Sequence, residues 1–183
     1  MSGKVIWHVS MSVDGFIAGA KDELNWVIEN SDTPPSEKIM NQIDSIGAIL
    51  GGRRWWDVAE KKYNGIDGIY GGAWTGPVFV LTHNPPAKQD HRVRFLNHSI
   101  PDSVSLAKEK AKGKNVLLLG ANLAQQCIES NVVDHVVIHM IPVFLGKGVR
   151  LIEDNSILPR KLKLEETIPT GQVIELYYNV QKD

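Results

Sequence analysis

A single cysteine, Cys127, occurs in the 183 residues, so no disulfide can close within the chain and no cysteine-based zinc site can form. That suits a reducing compartment. Charge of neither sign is in excess, with 20 Lys and Arg against 21 Asp and Glu, which leaves no broad basic field of the kind a nucleic acid demands. No run of about 18 apolar residues is present, which excludes a transmembrane helix. Residues 1–13 lack the basic start and apolar core of a secretion signal. These absences predict a cytoplasmic protein with neither nucleic acid nor membrane as partner. No internal repeat, low-complexity tract or linker interrupts the chain, and its 43% apolar content can fill one core without a structural metal. Residues 1–183 therefore read as one domain.

The patterns that are present alternate between strand and helix. Residues 5–13 mix β-branched, aromatic and small residues as a buried strand does. Ile39, Ile43 and Ile46 recur at helical spacing after Pro34 and Pro35, predicting a helix near 36–45. Strands are expected at 48–50, 77–82, 93–96, 116–119 and 134–144, and helices at 53–60, from Asp102 or Ser103 to Gly113, and at 121–130. The glycine-rich stretch 63–76 reads as a flexible loop, a candidate lid. Segments 161–167 and 173–181, parted by Pro169 and Gly171, predict a closing hairpin. Strands alternating with helices and then strands alone imply α/β architecture, with a mostly parallel central sheet and a C-terminal antiparallel hairpin.

Four segments could carry chemistry. Ser10-Met11-Ser12-Val13-Asp14-Gly15-Phe16-Ile17-Ala18 runs from a strand through a turn that returns Ile17 and Ala18 over the strand end. Ligands of open α/β sheets bind beyond such ends, so Asp14 and the apolar pair would line a site, unless Asp-Gly is simply a turn. Gly51-Gly52-Arg53-Arg54-Trp55 sets two guanidiniums on the first turn of a helix, which suits a phosphate, or else leaves two solvated arginines. Leu118-Leu119-Gly120-Ala121-Asn122-Leu123 is a strand, a glycine and a helix start, a geometry that accepts a pyrophosphate but lacks the spacing of a dinucleotide fingerprint. Leu81-Thr82-His83 ends a strand with a hydroxyl and an imidazole. Other candidates fail. Gly146-Lys147-Gly148 has neither the Ser or Thr nor the preceding glycine of a phosphate loop. His135 and His139 would lie ~13 Å apart on a strand, too far to share an ion. No nucleophile elbow or triad can be grouped, and no metal is expected. Of the tryptophans, Trp26 is the one placed in a substrate pocket.

Taken in order, S-M-S-V-D-G-F-I-A (10–18), I-L-G-G-R-R (49–54), V-F-V-L-T-H (78–83), L-L-G-A-N-L-A (118–124) and V-V-D-H-V-V-I-H-M-I-P-V-F-L-G-K-G (132–148) resemble the dihydrofolate-reductase-like superfamily. The nearest likeness within it is the reductase domain at the C-terminal end of the bifunctional riboflavin-biosynthesis deaminase/reductase. No H-x-E or P-C-x-x-C of a zinc deaminase is present, which predicts a reductase alone. Leu119 stands where riboflavin reductases often carry a glutamate.

The resemblance implies a three-layer fold, NADPH as cofactor and a small heterocyclic substrate of aminouracil or pterin type, as in 5-amino-6-(5-phosphoribosylamino)uracil reductase. It implies Ile17 and Ala18 against the nicotinamide, and Gly52, Arg53 and Arg54 on phosphates including the 2′-phosphate. Thr82 and His83 would meet the adenosine side, and Gly120, Ala121, Asn122 and Leu123 the pyrophosphate. Substrate would lie near Ser12, Asp14 and Trp26, with Asp14 as orienter or proton relay and Asp32 as the residue matching a folate-binding carboxylate. Two other readings stay open: a dihydrofolate reductase proper, and a non-catalytic NADPH-binding sensor. The resemblance also suggests a homodimer, for which the apolar strand 136–144 could supply an interface.

Overall fold

The computed structural model describes residues 3–87, 90–153 and 159–182. Its frame is an eight-stranded sheet. Strand β1 (Val5–Ser12) leads through the short β2 (Phe16–Ala18), helix α1 (Asn25–Glu29) and helix α2 (Glu37–Asp44) to β3 (Ile46–Gly52). Helix α3 (Arg53–Lys62) and a 3-10 helix at Gly65–Gly72 precede β4 (Val78–Leu81) and β5 (Val93–Leu96). Then come α4 (Ile100–Lys110), β6 (Asn115–Leu119), α5 (Ala121–Glu129), β7 (His135–Ile141), the two-residue β8 (Val149–Arg150), β9 (Leu162–Thr170) and β10 (Val173–Val180). The sheet order is β5-β4-β3-β6-β1-β7-β10-β9. The strands from β5 to β7 are parallel, and β10 and β9 close that edge antiparallel.

Both faces of the parallel strands are covered, so their sequences are mostly apolar. Successive residues of β6 show the division. Val116 and Leu118 join one core with Ile100, Val104, Leu123 and Cys127 of α4 and α5. Leu117 joins the other with Ile39, Ile43, Trp56, Ile66 and Ile69 of α2, α3 and the 3-10 helix. The result is a three-layer α/β fold of the predicted kind. Each fully buried Ile or Leu adds roughly 1.5–3 kcal/mol to its stability.

Several expected details differ. Stretch 63–76 is no free loop. Its glycines allow left-handed turns at Gly65, Gly71 and Gly72, while Ile66, Ile69 and Trp74 are buried and the Trp74 indole donates to the Ile46 carbonyl. Helix α4 starts earlier than expected, because the Ser99 hydroxyl caps it at the Asp102 amide and Pro101 occupies its first turn. Pro169 lies inside β9, which an edge strand tolerates because no partner needs its missing N–H. Strand β7 is paired on both sides and buries Val136, Val137, Ile138 and Ile141 in the cores, while Phe144 beyond it is exposed. Among the described residues no helix is long and apolar enough to cross a membrane.

Candidate active-site cleft

At the carboxyl edge of the sheet the connections from β3 and β6 leave in opposite directions, through α3 to β4 on one side and through α5 past β1 to β7 on the other. Adjacent strands whose connections diverge leave a crevice between them. A cleft of about 1240 Å³ opens there.

Two uncapped helix starts meet in the cleft. Gly52 and Gly120 are the residues immediately before α3 and α5, and neither helix has a side-chain cap, so the first-turn amides are left to whatever fills the cleft. The two helix starts touch: a Cβ on Gly120, whose φ is +100°, would lie 3.3 Å from Trp55 Cβ and 3.7 Å from the Gly52 nitrogen. At Gly120 the positive φ and the close approach of Trp55 both favour glycine. The neighbouring arginines are held rather than idle. Arg53 Nε donates to Asp57 at 2.9 Å and its Nη1 to the Asn84 carbonyl, while Arg54 donates to Asp22 at 2.8 Å. Thr82, His83, Asn84, His98 and Ser99 form the adjoining wall after β4 and β5. Ile17, Ala18, Gly52, Arg53, Arg54, Thr82, His83, Gly120, Ala121, Asn122 and Leu123 all line this one cleft.

The cleft also holds residues that the sequence reading missed. His8 and Tyr70 line the cleft, their rings stacked with centroids 5.8 Å apart and His8 Nδ1 2.7 Å from the Tyr70 hydroxyl. On its other side His8 Nε2 lies 2.7 Å from His139 Nε2. Dehydration within the sheet face, reinforced by His139, pulls the His8 pKa down to about 3. Burial likewise lowers His139, against the pull of the Glu175 carboxylate, and raises Tyr70. At neutral pH the three form an uncharged hydrogen-bonded chain. A signal for His8 was available. With period two it shares a face with Ser10 and Ser12, the polar side of the strand already chosen for its chemistry. Nothing local announces Tyr70. Leu24, Val27 and Ile28 add apolar surface to the cleft lining.

The four residues expected at catalysis and substrate, Ser12, Asp14, Trp26 and Asp32, are not among those lining this cleft. Asp14 accepts from the Ser12 hydroxyl at 2.6 Å and from the Leu145 and Gly146 amides at 3.1 and 2.7 Å. The Ser12 hydroxyl first, and then those amides, hold its pKa at about 2. It is an ionised clamp on the loop after β7, with no proton to give near neutrality. Ser12 is fully buried and also accepts from the Phe16 amide. Trp26 packs inward on Ile141 and Val173 and donates to the Glu23 carbonyl; its helical neighbours Asn25, Val27 and Ile28 face the cleft instead. Asp32 meets the Gln172 amide at the β9–β10 turn. His139 pairs with His8 and His135 with Glu165. Among the described residues no cluster of three metal-ligating side chains occurs.

A sequence profile of the RibD C-terminal domain matches residues 3–176. The uncharacterized protein YwjB of Bacillus subtilis strain 168 is 27% identical over 190 residues, spanning 97% of this chain and 98% of its own length. A solved Shewanella sp. PV-4 protein assigned to riboflavin biosynthesis is similar at a TM-score of 0.77 and 18% identity over 100% of both chains. The Thermotoga maritima diaminohydroxyphosphoribosylaminopyrimidine deaminase/5-amino-6-(5-phosphoribosylamino)uracil reductase gives 0.67 at 15% identity, over 98% of this chain and 57% of its own. Enterococcus faecalis dihydrofolate reductase complexed with NADP(H) and RAB-propyl gives 0.63 at 17% identity, over 100% of this chain and 98% of its own. At such identities the structural likenesses speak for the fold, which is dihydrofolate-reductase-like.

Proposed function

Because the chain belongs to the RibD C-terminal domain family, we propose that it is an NADPH-dependent reductase of a small heterocycle of the aminouracil or pterin kind. The observation that carries this reading is the pair of bare helix amino ends meeting across Gly52 and Gly120. Backbone amides and helix dipoles converging on a gap without side chains suit a diphosphate. The substrate and cofactor classes come by analogy from the Thermotoga reductase and from the Enterococcus enzyme with NADP(H).

When bound, a reduced nicotinamide dinucleotide supplies hydride. The rest of the work falls to the chain. The starts of α3 and α5 hold the diphosphate, and Thr82 and His83 the adenosine side. Arg53 and Arg54 take the 2′-phosphate by leaving Asp57 and Asp22, an exchange that costs little because exposed ion pairs are worth about 0–1 kcal/mol. Ile17 and Ala18 back the nicotinamide, while Leu24 and Ile28 exclude water around the substrate ring. A folate reductase proper finds less support, since Asp32, the matched carboxylate, lies at the β9–β10 turn and outside the cleft. Sedimentation velocity reads directly whether a second copy associates.

Calorimetry tests the cofactor. NADPH is expected to bind at least about tenfold more tightly than NADH, and Arg53→Ala to erase most of that preference, since charge-assisted phosphate bonds contribute about 1.5–3 kcal/mol. Binding of neither nucleotide would end the reading. An unchanged preference in the variant would remove only Arg53 from it.

A further inference from the structure

The hydride supplied to a ring C=N or C=O must be matched by a proton on the nitrogen or oxygen. Asp14, already spent on loop amides, cannot be its source. The chain Tyr70–His8–His139 offers one. Both nitrogens of His8 are occupied, by Tyr70 on one side and His139 on the other, so His8 has none left for a ligand. The Tyr70 hydroxyl has a donor and two acceptor positions, of which His8 uses one, and the residue lines the cleft.

The backbone at Tyr70 points the same way. Ile69 is extended at φ −64°, ψ 121°, and Tyr70 follows in the left-handed region at φ 48°, ψ 38°. This is close to the central pair of a type II turn, whose second position favours glycine. A tyrosine there costs on the order of 1–3 kcal/mol, although glycines follow it directly at 71 and 72. Its ring is thereby set over His8.

We infer that Tyr70 is the proton donor of the reduction proposed above, recharged from water through His139 and His8. In the poised tautomer His139 Nε2–H donates to His8 Nε2, and His8 Nδ1–H donates to the Tyr70 oxygen, which turns the hydroxyl hydrogen towards the cleft. As hydride forms the new C–H bond, the π pair moves to the heteroatom. That atom takes the Tyr70 proton, Tyr70 takes the His8 Nδ1 proton, and His8 Nε2 takes the His139 Nε2 proton. His139 Nδ1 receives one proton from water. Every member ends neutral, with both imidazoles in the opposite tautomer; the chain resets when the protons hop back, His139 Nδ1 returning one to water, while the Tyr70 oxygen takes a replacement proton from water in the emptied cleft. Glu175, opposite His139 in the β7–β10 pairing, favours the entering proton electrostatically. Tyr70 is thus the catalytic residue, with His8 and His139 as positioning and relay groups.

Nitrogen NMR of imidazole-labelled protein without ligand tests the chain. Both His8 nitrogens are expected at shifts averaged between protonated and bare forms, and Tyr70→Phe, which keeps the ring, should collapse them to one fixed tautomer. Single-turnover reduction of 6,7-dimethyl-7,8-dihydropterin by bound NADPH should slow about 100-fold in Tyr70→Phe, with NADPH affinity within twofold of the parent. The parent should show a solvent deuterium isotope effect that His139→Gln alters. A single fixed His8 tautomer in the parent, an undiminished rate in Tyr70→Phe, or a parent that binds NADPH without reducing the probe would overturn the relay. This inference rests on the reductase reading, and the two fail separately: absent NADPH binding removes that reading, whereas a fixed tautomer removes only the relay.

Discussion

Gly120 shows how much one missing methyl group decides. At φ +100° it holds a conformation that side chains disfavour, and it opens the gap between two helix starts. Gly120→Ala is expected to lose about 1–3 kcal/mol of stability by urea denaturation and to weaken NADPH at least about tenfold, because the new methyl group would crowd Trp55. An alanine variant that binds as the parent does would show the gap to be incidental. Asp14 teaches the complementary lesson. A strand followed by Asp-Gly is compatible with both a site and a turn, and the sequence holds no information about which amides the carboxylate will meet. Leu145 and Gly146 reach it from 131 and 132 residues away, and they settle it as a clamp.

At the scale of elements, helix α2 is tied to the sheet by Ser36. Its hydroxyl accepts from the Ile39 amide as the helix cap and donates to the buried Glu175 carboxylate at 2.6 Å. That carboxylate also receives the Tyr177 hydroxyl. Ser36→Ala removes a cap and leaves a buried charge short of a donor, so a loss of about 1–3 kcal/mol is expected in chemical denaturation; a loss below about 0.5 kcal/mol would show that water replaces the hydroxyl. Most elements were legible in the sequence, since the apolar period and the glycines and prolines at their ends act within a few residues. Two were misread for physical reasons. Glycines at 65–72 suggested freedom, but their left-handed turns let Ile66 and Ile69 reach the core. In α1 the largest aromatic, Trp26, suggested a pocket, but a helix of five residues has two sides, and burial claimed that one.

For the whole molecule, the buried histidine chain couples stability to pH. In the unfolded chain His8 takes its proton near 6.5, whereas in the fold, facing His139 and Tyr70, it does so only near pH 3. Between those values the unfolded state binds more protons, so the stability present above about pH 6.5 is lost as pH falls towards 3. Asp14 adds a lower window, its contribution disappearing between about 3.8 and 2. Urea midpoints from pH 7 to 3.5 should therefore decline in the parent and decline less in His8→Phe; equal slopes would show that His8 titrates normally. Sequence by itself determined the α/β architecture and the two glycine-led helix starts that line the cleft, because strand period, helix starts and glycines are local properties and the loops that carry them follow directly from their strands. Tertiary structure alone decided the histidine–tyrosine cluster. His8, Tyr70 and His139 are separated by 62 and 131 residues, and only the pairing of β1 with β7 and the docking of the 3-10 helix bring their polar atoms within hydrogen-bonding distance.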